Sequence, residues 1–451
     1  MIEYLYFTNS TTTDNQTILN DVIDKILAII KTYDPNMRPS SVEKSRKVIN
    51  NVLFNACRTK DKKKKTLKFT LDRSFFSKKH VLNGEEHKLP FALDIFKKVT
   101  SIMEAEGYIN ITIGGDFKYH EHIGQDGVIY NIVDGRKSSV MEINSCLLDL
   151  IEGVSMKKNM NDYNLLILRD EEKNDVPFEM TEVLKLQKKL LLAYNEFLET
   201  VEFRDKNGNI IDEPFLRRIY NVDLEHGGRF YTSRGVVQNM SKQDRLSITI
   251  GGEPSAEVDI HASHPTLAYT LAGEYMDVDP YNFEVKCDID YKVIEAFKKE
   301  FNLPEYDPMR NIKKKITLLA FTTDPHKLSF AISKKLGDDK FVQMAKDPEK
   351  RREAEFVGLS FVQVAVGIES MKNHNHKIRH LFNKGCYQNY EGQLMHNVLN
   401  YCLQHNLPAI PVHDSVVCQR SKTDLVQDIM NRAFTDTFGN NRNLKLKVTS
   451  L

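Results

Sequence analysis

Apolar and polar positions alternate most clearly in the C-terminal half of this 451-residue chain, and the alternation predicts strands there. "RLSITI" (245–250), the turn residues "GGEPS" (251–255) and "AEVDI" (256–260) read as two strands joined by a turn. "LPAIPVHDSVVCQR" reads as an apolar strand, the polar pair His413-Asp414 and a second apolar strand, a hairpin that presents Asp414 at its tip. Elsewhere the period is helical. Thr17 to Lys31 predicts a helix, and Ile95, Phe96, Val99, Ile102 and Met103 share one helical face that stops near Gly107. Thr181 to Thr200 carries a stripe of Val183, Leu186, Leu190, Tyr194, Phe197 and Leu198 with lysines opposite. Ser263 is placed to cap a helix, with Pro265 in its first turn and Gly273 at its stop. Asp307 and Pro308 open a further helix that Pro325 ends. "TDLVQDIMNRAF" predicts an amphipathic helix through Leu425, Val426, Ile429, Met430 and Ala433.

These elements fall into three regions. Residues 1–155 read as a small mixed module, in which a helix followed by "GYINITIGGDFKYHEHIGQDGVIYNIV" predicts a winged-helix, nucleic-acid-binding arrangement. A basic run at Arg58 to Lys68 reads first as a solvated loop and second as a phosphate contact. Residues 156–224 form a helical connector, and 225–451 carry the most informative patterns. The formal charge of +1 excludes a global polycation, so any nucleic-acid surface is local. Six scattered cysteines include no CxxC pair, which predicts neither a zinc knuckle nor a disulfide scaffold but a reduced, intracellular (cytoplasmic) protein. No window approaches the ~20 apolar residues of a membrane span, and the N-terminus lacks a signal-peptide pattern.

Asp259 ends one strand and Asp414 tips a hairpin, a pairing suited to a shared metal site. Phosphoryl transfer uses two Mg²⁺ ions about 3.5 to 4 Å apart, and Mg²⁺ takes carboxylate and phosphate oxygens. Mn²⁺ suits the same ligands. On the helix from Pro308, Arg310, Lys313 or Lys314, Thr317 and Phe321 recur at three- and four-residue steps. Two cations one turn apart can grip a triphosphate, and an aromatic beyond them can stack on a base. An ordinary basic solvent face is the plainer alternative.

Strand-end Asp, basic helix and "HD" hairpin, in that order, resemble motifs A, B and C of the family A DNA polymerases and the related single-subunit phage-type RNA polymerases. "GGRFYTSRGVVQNMS" resembles the family segment "GR...LQN", with Arg229 and Gln238 nine residues apart. The resemblance spans roughly Gly227 to Phe438. It implies an α+β right-hand polymerase with an antiparallel-sheet palm and helical fingers and thumb, preceded by the mixed module. By matched position it implies Asp259 and Asp414 as metal ligands, Arg310 on the triphosphate with Thr317 beside it, and Lys313 or Lys314 as proton donor to pyrophosphate. Phe321 would stack on the base, while Arg229, Gln238 and His413 would contact primer and template. Gln388 would be the counterpart of a minor-groove glutamine, with a purely structural role as the alternative. His264 stands where the DNA enzymes carry a sugar-excluding Glu.

The implied activity is template-directed nucleotidyl transfer with primer/template and nucleoside triphosphates as partners, in a bacterial or phage-infected cell. "GR...VQN" leans toward DNA synthesis and "HDS" toward RNA; DNA synthesis is favoured, with an RNA polymerase or primase-like enzyme on the same fold as the alternative. No repeated acidic pattern predicts a proofreading exonuclease. Two rival classes remain: a metal-dependent hydrolase or nuclease using Asp259, His261, His264, His413 and Asp414, and a non-catalytic DNA-binding replication factor.

Overall fold

A computed structural model describes residues 3–4, 12–13, 16–60, 66–69, 71–77, 79–114, 118–123, 129–134, 139–154, 156–157, 163–211, 215–232, 237–285, 288–289, 299, 308–322, 357–358, 361–382 and 386–451. Mixed helices and open sheets make the fold α+β. The chain divides into two units, one of Met1–Asn164 with Pro177–Glu179, the other of Leu165–Val176 with Met180–Leu451.

The first unit packs helices Gln16–Tyr33, Pro39–Lys60 and Leu93–Ala105 with a four-stranded sheet ordered Glu3–Tyr4, Thr66–Phe69, Ser139–Ile143, Ile109–Thr112. Its core joins Ile26, Ile30, Val52, Phe96 and Met141. The helical face anticipated around Phe96 is buried, apart from the partly buried Ile95. Behind that helix, Ile109–Thr112 pairs with Ser139–Ile143, and Lys118–Ile123 pairs with Ile129–Asp134. Residues 115–117 and 124–128 of the anticipated wing, and 61–65 of the basic run, lie outside the described residues.

The second unit begins with β1 (Leu166–Arg169) and β2 (Asp175–Val176), followed by α1 (Glu182–Glu199) and β3 (Phe203–Arg204). β4 (Leu216–Asn221) and β5 (Asp223–Thr232) complete a sheet ordered β2-β1-β4-β5. Thus 156–224 carries one long helix among several strands. Helix α1 buries Leu190, Tyr194 and Leu198 of its anticipated stripe, but Val183 and Leu186 are 63% and 64% exposed, while Leu184, Leu191 and Asn195 join the buried face. Asn195 has strand-like partners there. Its amide donates to Leu216 O at 2.9 Å and accepts from Leu216 N at 2.7 Å, so a polar residue occupies the packed face by imitating a strand neighbour.

After the short helix α2 (Lys242–Leu246) come β6 (Thr249–Ile250) and β7 (Glu253–Ile260). Arg245 and Leu246 therefore end a helix instead of opening a strand. Gly251 and Gly252, with φ of 56° and 82°, form the two-residue turn, so Glu253, Pro254 and Ser255 belong to β7. Helix α3 (Ser263–Leu271) follows, then α4 (Pro308–Thr322), α5 (Phe361–His374) and α6 (Tyr387–Gln404). Asp307 and Pro325, the anticipated limits of α4, lie outside the described residues. Strands β8 (Ala409–Val412) and β9 (Ser415–Gln419), helix α7 (Thr423–Phe438) and β10 (Leu446–Ser450) close the described chain. β7 lies between β9 and β10, antiparallel to both. Alternation along β7 buries Ala256, Val258 and Ile260 on one face and turns Glu257 and Asp259 to the other. No described helix is long and apolar enough to cross a membrane.

Candidate active site

Register brings the two aspartates together. Asp259 pairs with Ser415, the residue after Asp414, and Ile260 N donates to Asp414 O at 3.3 Å. Asp414 is the second residue of a two-residue hairpin turn whose first, His413, has φ 61°. That left-handed conformation is what a tight hairpin demands and what glycine ordinarily supplies; a histidine held there stores strain.

Both carboxylates open into a cleft of about 860 Å³. Its walls include Arg229 on β5, Lys242 on α2, His261 and His264 at the start of α3, Tyr281, Arg310, Lys314, Thr317 and Leu318 on α4, Glu391 on α6, and Lys447 on β10. Neither Asp259 nor Asp414 has an ion-pair partner among the described residues. Burial, reinforced by Glu257, raises the Asp259 pKa against the pull of Lys242, Lys314 and Lys447. Burial raises Asp414 well above the usual range, with Glu391 and Asp259 adding repulsion and Arg229 opposing it. Two unpaired carboxylates whose charges disfavour each other are a donor set that a hard divalent cation relieves. Burial and the neighbouring Arg310 lower the Lys314 pKa. Burial, with Asp414 and Asp279, pushes the Tyr281 hydroxyl up to about 12.

Of the residues anticipated from sequence, Asp259, Asp414, Arg229, His264, Arg310, Lys314 and Thr317 line this cleft. Lys313 instead points toward the Phe283 ring, 5.7 Å from its centroid. On α4 the exposed face runs Arg310, Lys314, Leu318, so Leu318 holds the position facing the cleft. Phe321 is fully buried, with ring centroids 4.6 Å from Phe382 and 4.9 Å from Tyr387. Gln238 donates to Pro411 O at 3.1 Å and accepts from Thr232 N at 3.0 Å, tying the end of β5 to the strand before the His413 turn. His413 packs edge-on to Tyr231, with its pKa lowered by burial and Arg229. Gln388 is half-buried on the first turn of α6 and does not line the cleft.

Glu391, one turn beyond Gln388, has no role in the motif pattern. It is 1% exposed; it accepts from Arg229 Nε at 2.7 Å and from Ser263 Oγ at 2.7 Å, and His264 Nε2 lies 3.3 Å away. Burial works against its ionisation, yet His264, Arg229 and Ser263 hold its pKa at about 2. Ser263 consequently does not cap α3. Ala262 is the N-cap in a left-handed conformation (φ 52°), which turns the Ser263 hydroxyl toward α6. Residues 387–393 lie inside α6, where Tyr387, Glu391, Leu394 and Val398 are buried. Lys242, Tyr281 and Lys447 lack any local pattern; tertiary pairing alone brings them in.

No protein-family profile and no curated protein matches the chain. Among solved structures it is similar to the POL domain of Pol1 from M. smegmatis in complex with DNA primer-template and dNTP, at 14% identity and a TM-score of 0.27. That similarity covers 59% of this chain and 51% of the other, so it spans about half of the other chain's length. A likeness so distant assigns this chain no activity.

Proposed function

We propose that the protein is a template-directed nucleic-acid polymerase, with DNA synthesis favoured over RNA synthesis, and that the cleft is its nucleotidyl-transfer site. The observation that carries this reading is the placement of Asp259 near the end of β7 and Asp414 on the adjoining hairpin turn, in one cleft with Arg310 and Lys314 of α4. In this reading the β7–β9–β10 sheet is the palm, α4 and α5 belong to the fingers, and α1 is the thumb.

Asp259 and Asp414 would hold Mg²⁺ or Mn²⁺. Ions held by these two carboxylates would supply positive charge for the attacking 3′-oxygen and the leaving pyrophosphate. Arg310 and Lys314 take the β- and γ-phosphates, where charge-assisted hydrogen bonds orient the triphosphate for in-line attack. The lowered pKa of Lys314 suits it to give a proton to the departing pyrophosphate. Arg229, held by Glu391, faces the same cleft and positions the primer end. Gln238 and His413 act one step behind, fixing the hairpin that carries Asp414.

The test is extension of primed and unprimed DNA and RNA templates with Mg²⁺, supplying dNTPs and NTPs separately, with Asp259→Asn and Asp414→Asn proteins as controls. Template-dependent products that both substitutions abolish are expected. Cleavage of the substrate without extension would replace the polymerase by a metal-dependent nuclease, and tight DNA binding with neither activity would leave a replication factor.

A further inference from the structure

Glu391 is the most heavily bonded carboxylate in the cleft, and the sequence motifs give it no part. Three elements meet on it: Arg229 from β5, Ser263 and His264 from α3, and its own helix α6. Its position is keyed by the backbone. Gly392, the next residue, lies so close to β5 that a Cβ there would sit 2.0 Å from Gly228 O. The same Gly228 carbonyl accepts from Arg218 Nε at 2.6 Å, and Arg218 is itself buried between the rings of Tyr220 and Phe230. Glu391 cannot slide along the strand without breaking that contact.

The carboxylate in turn flanks His264, whose Nε2 lies 3.3 Å from Glu391 Oε1. The imidazole is bounded by Glu391 on one edge, Phe321 at 5.9 Å and Tyr387 at 5.6 Å between ring centroids, and it retains a face on the cleft. His264 lies five residues beyond Asp259 and lines the same cleft as the paired carboxylates and the α4 cations. A nucleotide whose phosphates reach from Asp259 to Arg310 and Lys314 brings its sugar against that wall. A side chain locked on three sides gives way little to an added hydroxyl.

Resting on the polymerase reading, we propose that Glu391 is a positioning residue for sugar discrimination: it fixes His264 as a rigid wall beside the nucleotide sugar and, through Arg229, registers the primer end against it. Discrimination is then a property of the Glu391–His264 pair, and neither residue supplies it alone.

The experiment compares kcat/KM for dATP and ATP in the full-length protein, wild type against Glu391→Gln, His264→Ala and the double variant. Equilibrium binding of both nucleotides to each protein is measured alongside. Glu391→Gln keeps the volume and removes the charge. Whichever sugar the wild type prefers, the ratio is expected to move toward one by about tenfold or more in Glu391→Gln. The double variant should match His264→Ala alone, because residues acting as a unit are not additive. Equal loss on both nucleotides with the ratio intact would overturn the proposal and leave Glu391 a structural residue. If Glu391→Gln does not fold, Ser263→Ala removes one bond to the same carboxylate and must shift the ratio in the same direction, or the proposal fails. A wild-type protein that extends nothing and binds no nucleotide refutes the polymerase reading itself, a result distinct from an active wild type whose ratio the variants do not move.

Discussion

Lys313 and Lys314 are neighbours with different surroundings, and the difference is testable. Lys314 borders the cleft and acts electrostatically on Asp259, whereas Lys313 turns to Phe283. Lys314→Ala is expected to lower kcat/KM roughly a hundredfold, the scale on which a single preorganised donor to transition-state charge acts. Lys313→Ala should lie within about threefold of wild type, as surface substitutions usually do; steady-state extension kinetics distinguish the two. At this scale the sequence was partly legible. Asp259 and Asp414 stand out because strand alternation ends on them, and Arg310 and Lys314 because they repeat one turn apart on a helix opened by Pro308. Phe321 matched the helical spacing equally well, but spacing does not say which flank of a broad face meets the core. Lys447 was not legible, since its neighbour Asp259 is reached only by pairing β10 with β7.

Helix α6 links the cleft to the strand carrying Arg229, and its packing leaves no room at one point. Gly392→Ala would drive a methyl into the Gly228 backbone, which cannot rotate away. A cost of about 1–3 kcal/mol or more results from such overpacking, with extension lost more steeply than stability because Glu391 moves too. Gly367→Ala on α5 makes the contrast. There the new Cβ meets the Cδ1 end of Ile316 at 2.9 Å, a flexible group, and the helix gains intrinsic propensity. Thermal melts of the two variants should separate clearly, with Gly367→Ala near wild type. The same helix α6 also sets an acid limit. His396 is lowered from 6.5 to about 4 by burial and then by Arg218, so the unfolded chain takes up its proton first. The stability it contributes is complete above pH 6.5 and falls as pH drops toward 4. Glu391, lowered from 4.5 to about 2, contributes stability that is complete above 4.5 and is lost as pH falls through 2. Melting temperature against pH should thus decline in two stages, and His396→Gln should flatten the upper one. Glu391 interrupts the apolar periodicity of this helix at a buried position, which hides its packed face from the sequence pattern.

For the molecule as a whole, the boundary near Asn164 and Leu165 has a consequence for dissection. β1 lies between β2 and β4, with Leu166, Ile167 and Leu168 buried. A chain starting at Leu165 keeps that strand and should melt cooperatively. One starting at Met180 exposes the edge of β4 and should aggregate or lose its transition; circular dichroism and light scattering check both. The sheet membership of β1 was hidden in the sequence, since its partner β4 comes some fifty residues later (166 against 216). β10 has a larger effect in time than in space. Until residues 446–450 have left the ribosome, the strand bearing Asp259 lacks one of its two long neighbours, and Lys447 is absent from the cleft. A nascent chain can therefore display every other part of the site while its central strand still has a bare edge.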